Sequence, residues 1–229
     1  MDELDTSMTM DNFKAKTLEE ISNKSKRFPI VDGPFGTQLK SSEYTTEGVA
    51  LVRVTNLSFE GRFLTDDLVY VSEEKARVLS RSEITTGDVI VAKTGATIGK
   101  CGLFPYERGL VASSCIKISI DLEMGDPKFV LYRIASPEGQ RKILDAAGGS
   151  TRTTINITQF SRISFEFPSR DEQARIAAVL NLIDEAIAKT EAVIAKLKQV
   201  RAGLLHDLLT RGLDEQQEMR LADVADIWF

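Results

Sequence analysis

One short stretch of this 229-residue chain has the glycine and lysine content of a phosphate-binding loop. Residues 93–100 read KTGATIGK and follow an apolar run that ends at Ala92. A P-loop needs four residues between its first glycine and its Gly-Lys pair, followed by a hydroxyl residue that reaches Mg²⁺. Here three residues separate Gly95 from Gly99, and Cys101 stands where the hydroxyl would be. The spacing argues against a nucleotide site and leaves two interpretations: a relaxed connection between strands, and a loop whose backbone, hydroxyls and lysines contact a nucleic-acid strand.

Residues suited to nucleophilic or metal chemistry are scarce. His206 is the single histidine and lies in a strongly helical segment, which excludes histidine-rich metal sites. Cys101 and Cys115 have no C-x-x-C partner and no neighbouring histidine, a pattern typical of small buried side chains rather than of a disulfide or metal site. We therefore predict no metal ligand in this chain, and a His-based catalytic triad would have to use His206.

The net charge of −5 hides an uneven distribution along the chain. Residues 1–23 carry two basic and six acidic side chains, residues 24–170 carry 20 and 17, and residues 171–229 carry seven and 11. A basic middle between acidic ends can form one positive face for phosphate contacts. It is also compatible with a mixed, solvated surface, which is the interpretation that charge alone favours.

The composition also limits where the protein can work. No apolar run reaches the roughly 18 residues of a membrane span. The acidic start, MDELDTSMTMDNF, lacks the basic flank and apolar core of a secretory signal. We therefore expect a cytoplasmic protein that does not contact a membrane.

The elements that carry the glycine-rich stretch are short and rich in β-formers. Alternating or continuous apolar runs bounded by turn residues predict strands at 49–55, 88–92, 110–112, 114–120 and 163–167. One helix is predicted from Asp126-Pro127 through Leu144. The pattern indicates an α+β fold with irregular, mostly non-parallel strands. Residues 1–16 are polar without periodicity and predict a flexible tail.

After Pro168 the sequence changes to one long helical pattern. Ser169 and Glu172 have the spacing of a capping box, and Gly212 is a natural stop. Ten positions spaced alternately by four and three form a seam, in which Thr190 and Arg201 are the polar members. A period of 3.5 over more than four heptads predicts a left-handed coiled coil with a partner helix. The apolar seam residues are Ile176, Leu180, Ile183, Ile187, Ile194, Leu197, Leu204 and Leu208.

Several stretches together resemble one protein family. They are GPFGTQLK at 33–40, LVRVTN at 51–56, TGATIG at 94–99 and FPSRDEQ at 167–173, continuing to LLTRG at 208–212. In this order and spacing they resemble the specificity subunits of type I restriction-modification systems, over residues 17–213. The resemblance implies a target-recognition domain at 17–168, a long coiled-coil helix at 169–212 and a C-terminal tail at 213–229.

The resemblance also implies a function. Such a subunit has no catalytic activity of its own: it reads one half of a split site on double-stranded DNA and docks methyltransferase subunits, and through them a restriction subunit. S-adenosylmethionine, and ATP with Mg²⁺, are used by those partners. Consistent with this, the chain has no Asn/Asp-Pro-Pro-Tyr methylation motif and no G-x-G cofactor loop.

Candidate DNA-contacting residues follow from the loops that carry the resemblance. Arginine suits guanine, asparagine and glutamine suit adenine, and lysine suits phosphate. The candidates are Gln38, Lys40, Arg53, Asn56, Lys93, Thr94, Thr97, Lys100, Ser150, Thr151, Arg152 and Asn156. Any single one of them could instead stabilise a turn.

The chain departs from the family in length, because an intact specificity subunit usually holds two recognition domains and two long helices. Residues 220–226 (RLADVAD) echo residues 17–23 (TLEEISN), as though a second half began there. Two copies related by a two-fold axis could pair their helices antiparallel and read inverted half-sites, so we expect a homodimer. The alternative is a coiled-coil adaptor that binds proteins and does not read DNA.

Overall fold

The computed structural model describes residues 13–34, 38–148 and 154–212. They divide into two units, one up to Ala178 and one from Val179 onward. Among the described residues, the first unit contains ten strands, four short α-helices and the first turns of a long helix. The second contains the rest of that helix.

Within the described residues the strands form three sheets. A two-stranded antiparallel sheet pairs β1 (Lys14–Thr17) with β10 (Ser164–Phe167). A second, antiparallel sheet has the order β2 (Ile30–Asp32), β9 (Cys115–Ile118), β6 (Val89–Ala92) and β7 (Cys101–Leu103). A third has the order β4 (Val69–Val71), β3 (Val49–Val52), β8 (Arg108–Val111) and β5 (Glu83–Thr85), with β3 and β8 parallel and the other pairs antiparallel. With the helices, this confirms the predicted α+β fold and its mostly non-parallel strands.

The helices are α1 (Glu73–Val78), α2 (Pro127–Ala135), α3 (Pro137–Ala147), α4 (Ile157–Ser161) and α5 (Arg170–Arg211). The single helix predicted from Asp126 through Leu144 is therefore wrong. The chain turns at Ser136, which is extended at ψ 155° because Pro137 follows and disfavours helical geometry. The Ser136 hydroxyl then caps α3 by accepting the Gly139 N–H at 3.1 Å.

The core lies on both faces of the two larger sheets. Val89 and Val91 of β6 pack in a cluster with α2, α3 and α4, whereas Ile90 and Ala92 pack against the third sheet. The far face of the third sheet packs on Ala76 of α1. Burial on both faces explains why β3 and β6 read as continuous apolar runs, VALV and VIVA, without alternation.

The predicted tail at 1–16 ends earlier than expected. Its last three residues belong to β1, which pairs with β10 in register from Lys14 to Thr17. Leu18, which follows β1, is fully buried and donates its N–H to the Ile163 carbonyl at 2.9 Å. This strand has no apolar alternation, because backbone pairing holds it and its side chains stay largely exposed. Residues 1–12 and 213–229, the rest of the predicted tails, lie outside the described residues.

A charged group is buried beside the second sheet. The Asp88 side chain is 3% exposed and accepts hydrogen bonds from Lys117 at 3.4 Å, Lys26 at 3.2 Å and the Thr85 N–H at 2.9 Å. Lys117, 4% exposed, also donates to the Ser119 hydroxyl at 2.9 Å. Burial lowers the pKa of Lys117, and the Asp88 charge opposes that shift. The pair is therefore one mutually dependent unit in the interior.

The first turns of α5 pack within the first unit. The Ser169 hydroxyl accepts the Glu172 N–H at 3.3 Å, as the capping box predicts. The buried Gln173 amide donates to the Pro168 carbonyl and accepts the Asp126 N–H, each at 3.0 Å. Ala177 and Ile176 join the core cluster under α2. The first compact unit therefore continues into α5, as far as Ala178.

Ile176, a predicted seam residue, packs partly against the core of the first unit. From Val179 onward the seam is open in this chain. Ile183, Ile187, Ile194, Leu197 and Leu204 are between 41% and 51% exposed, and Leu180 and Leu208 are half-buried. Among the described helices, none combines the length and apolarity needed to cross a membrane.

Candidate nucleic-acid interface

The glycine-rich loop joins β6 to β7 and uses its own backbone donors. Gly95 and Gly99 have positive φ angles of 63° and 90°. The N–H groups of Ile98 and Gly99 donate to the carbonyls of Gly95 and Ala92, at 3.1 and 3.0 Å. A strand follows instead of a helix. These donors are not arranged to wrap a phosphate, so the geometry agrees with the spacing argument against a P-loop.

Helix α3 fixes the end of this loop. The Gln140 side-chain amide donates to the carbonyls of Gly99 and Ile134, both at 2.9 Å. A Cβ on Gly99 would lie 2.2 Å from Gln140 Oε1, whereas nothing lies within 4 Å of a Cβ on Gly95. Gly99 is therefore required for contact as well as for conformation, and Gly95 for conformation alone.

Replacing Gly99 with alanine should destabilise the domain more than replacing Gly95. Gly95→Ala carries only the strain of a positive φ, about 1 kcal/mol. Gly99→Ala adds the displacement of Gln140 and its two hydrogen bonds, for a total of about 2 to 3 kcal/mol. Urea unfolding of the two variants measures the difference in the free energy of unfolding. Equal losses would contradict the Gln140 contact.

Two other segments meet this loop. Thr94 pairs with Thr154, and the Ile155 N–H donates to the Lys93 carbonyl at 3.0 Å. On the other side, Ser58 pairs with Cys101, which follows Lys100. Asn156, which follows Ile155, is therefore brought close to the candidates Lys93 and Thr94 of the loop. The sequence analysis did not include the turn after Leu57 among the DNA-contacting candidates, although its Phe-Glu-Gly-Arg composition is a usable signal.

The structure argues against the prediction that Lys93 contacts a phosphate. Its ammonium group pairs with Asp32 Oδ2, both side chains are about 15% exposed or less, and Arg81 approaches the same carboxylate at 3.9 Å. The charge of Lys93 is thus already balanced inside the fold. Lys100 differs, since its Nζ lies 5.6 Å from the Phe59 ring centroid and its side chain is partly exposed.

Several other basic residues of the middle segment are also committed to acidic partners. Arg108 donates to Glu83 at 3.0 Å and to Glu73 at 2.8 Å. Lys26 and Lys117 share Asp88, as described above. The positive face expected from the charge count is therefore smaller than the count suggests, because much of that charge is neutralised in the domain.

The structure argues against the prediction that Asn56 reads a base. It is fully buried, its Oδ1 accepts the Arg53 N–H at 2.9 Å, and its Nδ2 donates to the Leu64 carbonyl at 3.1 Å. Arg53 is partly exposed, and its guanidinium pairs with Asp67 at 2.9 Å and lies over the Tyr44 ring. Asn56 is part of the scaffold, and Arg53 is largely held in place.

The remaining candidates are on the surface or outside the described residues. Gln38 and Lys40 are exposed, and Thr94 and Thr97 are half-exposed. Asn156 is exposed and caps α4, its Oδ1 accepting the Gln159 N–H at 2.9 Å. Ser150, Thr151 and Arg152 lie outside the described residues. The surface around the glycine loop therefore keeps Thr94, Thr97, Lys100 and Asn156 as candidates.

The cysteines are packed in the core. Cys101 and Cys115 are fully buried free thiols, and burial raises the pKa of each to about 12. Neither thiol is therefore poised to act as a nucleophile near neutral pH. In the described part of the chain, no group of three His, Cys, Asp or Glu side chains is placed to hold a metal ion.

The chain matches a known family and known folds. The model of the type I restriction modification DNA specificity domain matches residues 69–199. Similar proteins include the type I restriction enzyme MjaVIII specificity subunit of Methanocaldococcus jannaschii, 22% identical over 82% of this chain and 38% of its own length. The EcoBI specificity subunit of Escherichia coli is 25% identical over 57% of this chain and 27% of its own length.

Solved structures share the fold at low sequence identity. The S subunit of the type I restriction-modification system from M. genitalium has a TM-score of 0.60 at 19% identity, covering 96% of this chain and 50% of that one. The HsdS subunit from Thermoanaerobacter tengcongensis has a TM-score of 0.55 at 16% identity, covering 92% and 48%. The chain thus spans half or less of the length of these relatives. Because the family model matches more than half of its residues, the chain belongs to the family of type I restriction-modification DNA specificity domains.

Proposed function

We propose that this chain reads one half of a split DNA site for a type I restriction-modification complex. The observation that carries the proposal is the match of the specificity-domain model across residues 69–199, which spans most of the β-rich unit and continues into α5. In this proposal the chain supplies recognition. Methylation, using S-adenosylmethionine, and cleavage, using ATP and Mg²⁺, are supplied by partner subunits.

DNA reading would use the surface around the glycine loop. Thr94, Thr97 and Asn156 offer hydroxyl and amide groups of the kind that contact base edges or sugar-phosphate, and Lys100 offers a cation. Gln38 and Lys40 are exposed candidates from a separate segment. Gly95 and Gly99 give the loop a tight path fixed by Gln140. A rigid loop loses little conformational entropy on binding, which favours its use in recognition.

The long helix supports self-association. Five isoleucine and leucine side chains of its seam, between Ile183 and Leu204, are 41% to 51% exposed in the single chain. A second copy is the occupant that supplies a matching seam, and an antiparallel pair has the two-fold symmetry typical of homodimers. Such a pair would restore the two recognition units that an intact specificity subunit holds. We therefore propose a homodimer that reads inverted half-sites.

The same helix carries more apolar surface than a two-stranded coiled coil uses. The residues directly before seam positions 180, 187, 194 and 201 are Val179, Ala186, Val193 and Val200. A two-stranded coiled coil favours charged residues at these positions. The three valines are 58%, 57% and 48% exposed. An apolar stripe of this width is typical of a helix in a bundle of more than two. We propose that helices of the methyltransferase subunits pack there and connect the restriction subunit indirectly.

Methylation mapping tests the recognition role. The chain and its methyltransferase partner are expressed together in a host lacking other methylation, and modified adenines are mapped by single-molecule sequencing. We expect one split motif whose two halves are inverted repeats, because two identical recognition units read them. An asymmetric motif would reject the homodimer. Absence of any motif, with the complex assembled, would reject DNA reading and favour the adaptor alternative.

A further inference from the structure

A tight turn beside the glycine loop presents an exposed aromatic ring. Residues 58–62 (SFEGR) connect the paired residues Leu57 and Phe63. The Ser58 N–H donates to the Arg62 carbonyl at 3.1 Å, and the Arg62 N–H donates to the Ser58 hydroxyl at 3.0 Å. Gly61 supplies the positive φ of 86° that closes the turn. The turn is therefore held by its own hydrogen bonds on both sides.

The base of this turn is anchored to the rest of the domain. Leu57 is fully buried, and the Cys101 N–H donates to the Ser58 carbonyl at 2.8 Å. Phe63 packs edge-on against Phe104 and Tyr106, with ring centroids 5.9 and 6.1 Å apart. The buried Asn56 amide, described above, holds the Leu64 carbonyl. The turn is thus held rigidly, and it is bonded to the rest of the domain at Cys101, the residue that follows the glycine loop.

The tip of the turn combines an apolar ring with charges of both signs. Phe59 is 42% exposed, and Lys100 Nζ lies 5.6 Å from the centre of its ring. Glu60 and Arg62 are exposed beside it. Hydrogen bonding from Ser58, with Arg62 and Lys100 nearby, lowers the pKa of Glu60, so its carboxylate is charged at neutral pH. Centres of protein–protein interfaces are depleted in lysine and glutamate, and the presence of both here disfavours a protein as the ligand of this tip.

The chemistry of the tip fits a DNA groove. A phenylalanine ring contacts the thymine methyl group or inserts at a base step, a carboxylate accepts from the cytosine amine, and arginine and lysine reach guanine or phosphate. We propose that residues 58–62 with Lys100 form a specificity-determining element of the DNA interface, in which the Phe59 ring contacts bases. This inference rests on the proposed function in DNA reading.

The test uses the full chain in complex with its methyltransferase partner and duplexes carrying the mapped motif or a scrambled one. Phe59→Ala should weaken binding to the motif about ten-fold and leave binding to scrambled DNA unchanged, as expected for loss of one specific base contact. The matched control is Val78→Ala, which removes an apolar side chain that is 75% exposed. Lys100→Ala should reduce the slope of log affinity against log salt by about one. Thermal unfolding checks that each variant is folded.

The outcomes separate the two levels of inference. A wild-type complex that does not prefer the motif duplex over the scrambled one overturns the proposed function and this inference together. A wild-type preference that Phe59→Ala retains in full, as Val78→Ala does, overturns this inference alone. So does a Phe59→Ala variant that assembles poorly with the methyltransferase yet keeps its preference once assembled, since the ring would then contact protein. If Phe59→Ala does not fold, the Lys100→Ala salt slope decides, and an unchanged slope overturns the proposal.

Discussion

Replacing both Ile187 and Ile194 with glutamate is expected to convert the proposed dimer into monomers. Both residues lie in the open seam of α5 and are 46% and 47% exposed in the single chain. A dimer would bury four such side chains, worth about 1.5 kcal/mol each, or about 6 kcal/mol in total. The loss corresponds to about 10⁴-fold weaker association, before the cost of burying glutamates is added. Sedimentation equilibrium measures the dissociation constant directly.

The matched control places the same charges on another face of the same helix. Ala188→Glu with Ala195→Glu adds two glutamates one position after the seam residues, at sites that are exposed and outside the apolar stripe. This control should remain a dimer with unchanged helix content by circular dichroism. A seam variant that stays dimeric, or a control that dissociates equally, would show that another surface holds the copies together.

The long helix shows how far a periodic sequence can be trusted. Local capping residues predict that it starts at Ser169 and ends near Gly212. The apolar repeat of 3.5 residues predicts its open seam. Ile176 differs from the rest of the predicted seam, because it packs partly against the core of the first unit. The repeat continues through it, yet α2 and its neighbours cover that turn. Periodicity identifies an apolar face but does not say which partner buries it.

The candidate site was harder to predict because polar side chains serve two purposes. Asn56 and Lys93 have the right residue types for base and phosphate contacts, but one is buried in a turn and the other is paired with Asp32. Asp32 is 61 residues from Lys93, so no local pattern reveals that pair. Asn56 bonds backbone atoms three and eight residues away, which is the turn-stabilising role that its residue type left open. Phe59 was missed for the opposite reason, since an isolated phenylalanine in a sequence usually indicates core.

The sequence also did not predict the break between α2 and α3 or the strand β1. Apolar spacing ran continuously across Ser136, and only the proline after it marked the break between α2 and α3. Lys14–Thr17 forms a strand through backbone pairing with β10, which the residues of β1 do not encode. Local sequence specified β3 and β6, whose side chains are all buried, and it did not specify β1, which is held mainly by backbone hydrogen bonds.

Replacing Asp88 is also expected to have a large effect on the free energy of unfolding, because Asp88 balances the charge of the buried Lys117. Asp88→Asn keeps an oxygen for the Thr85 N–H but removes the carboxylate that faces Lys117 and Lys26. Leaving the Lys117 charge buried without its partner should cost about 3 kcal/mol or more of the free energy of unfolding. Urea unfolding near pH 7 measures the loss. Asp88→Asn combined with Lys117→Met should recover most of the lost stability. In that double variant neither buried side chain is charged, and the remaining Lys26 is partly exposed to solvent.

The pH dependence gives a second, independent readout of the same pair. Burial lowers the folded-state pKa of Lys117 below its ordinary value of 10.5, so between the two values the folded state binds fewer protons than the unfolded state. Stability from this group therefore rises with pH across that window. Asp88→Asn removes the charge that opposes the shift, so the window should extend to lower pH and the rise should be larger. Lys117→Met should abolish this contribution, and an Asp88→Asn profile parallel to wild type would show that Lys117 is not held charged by Asp88.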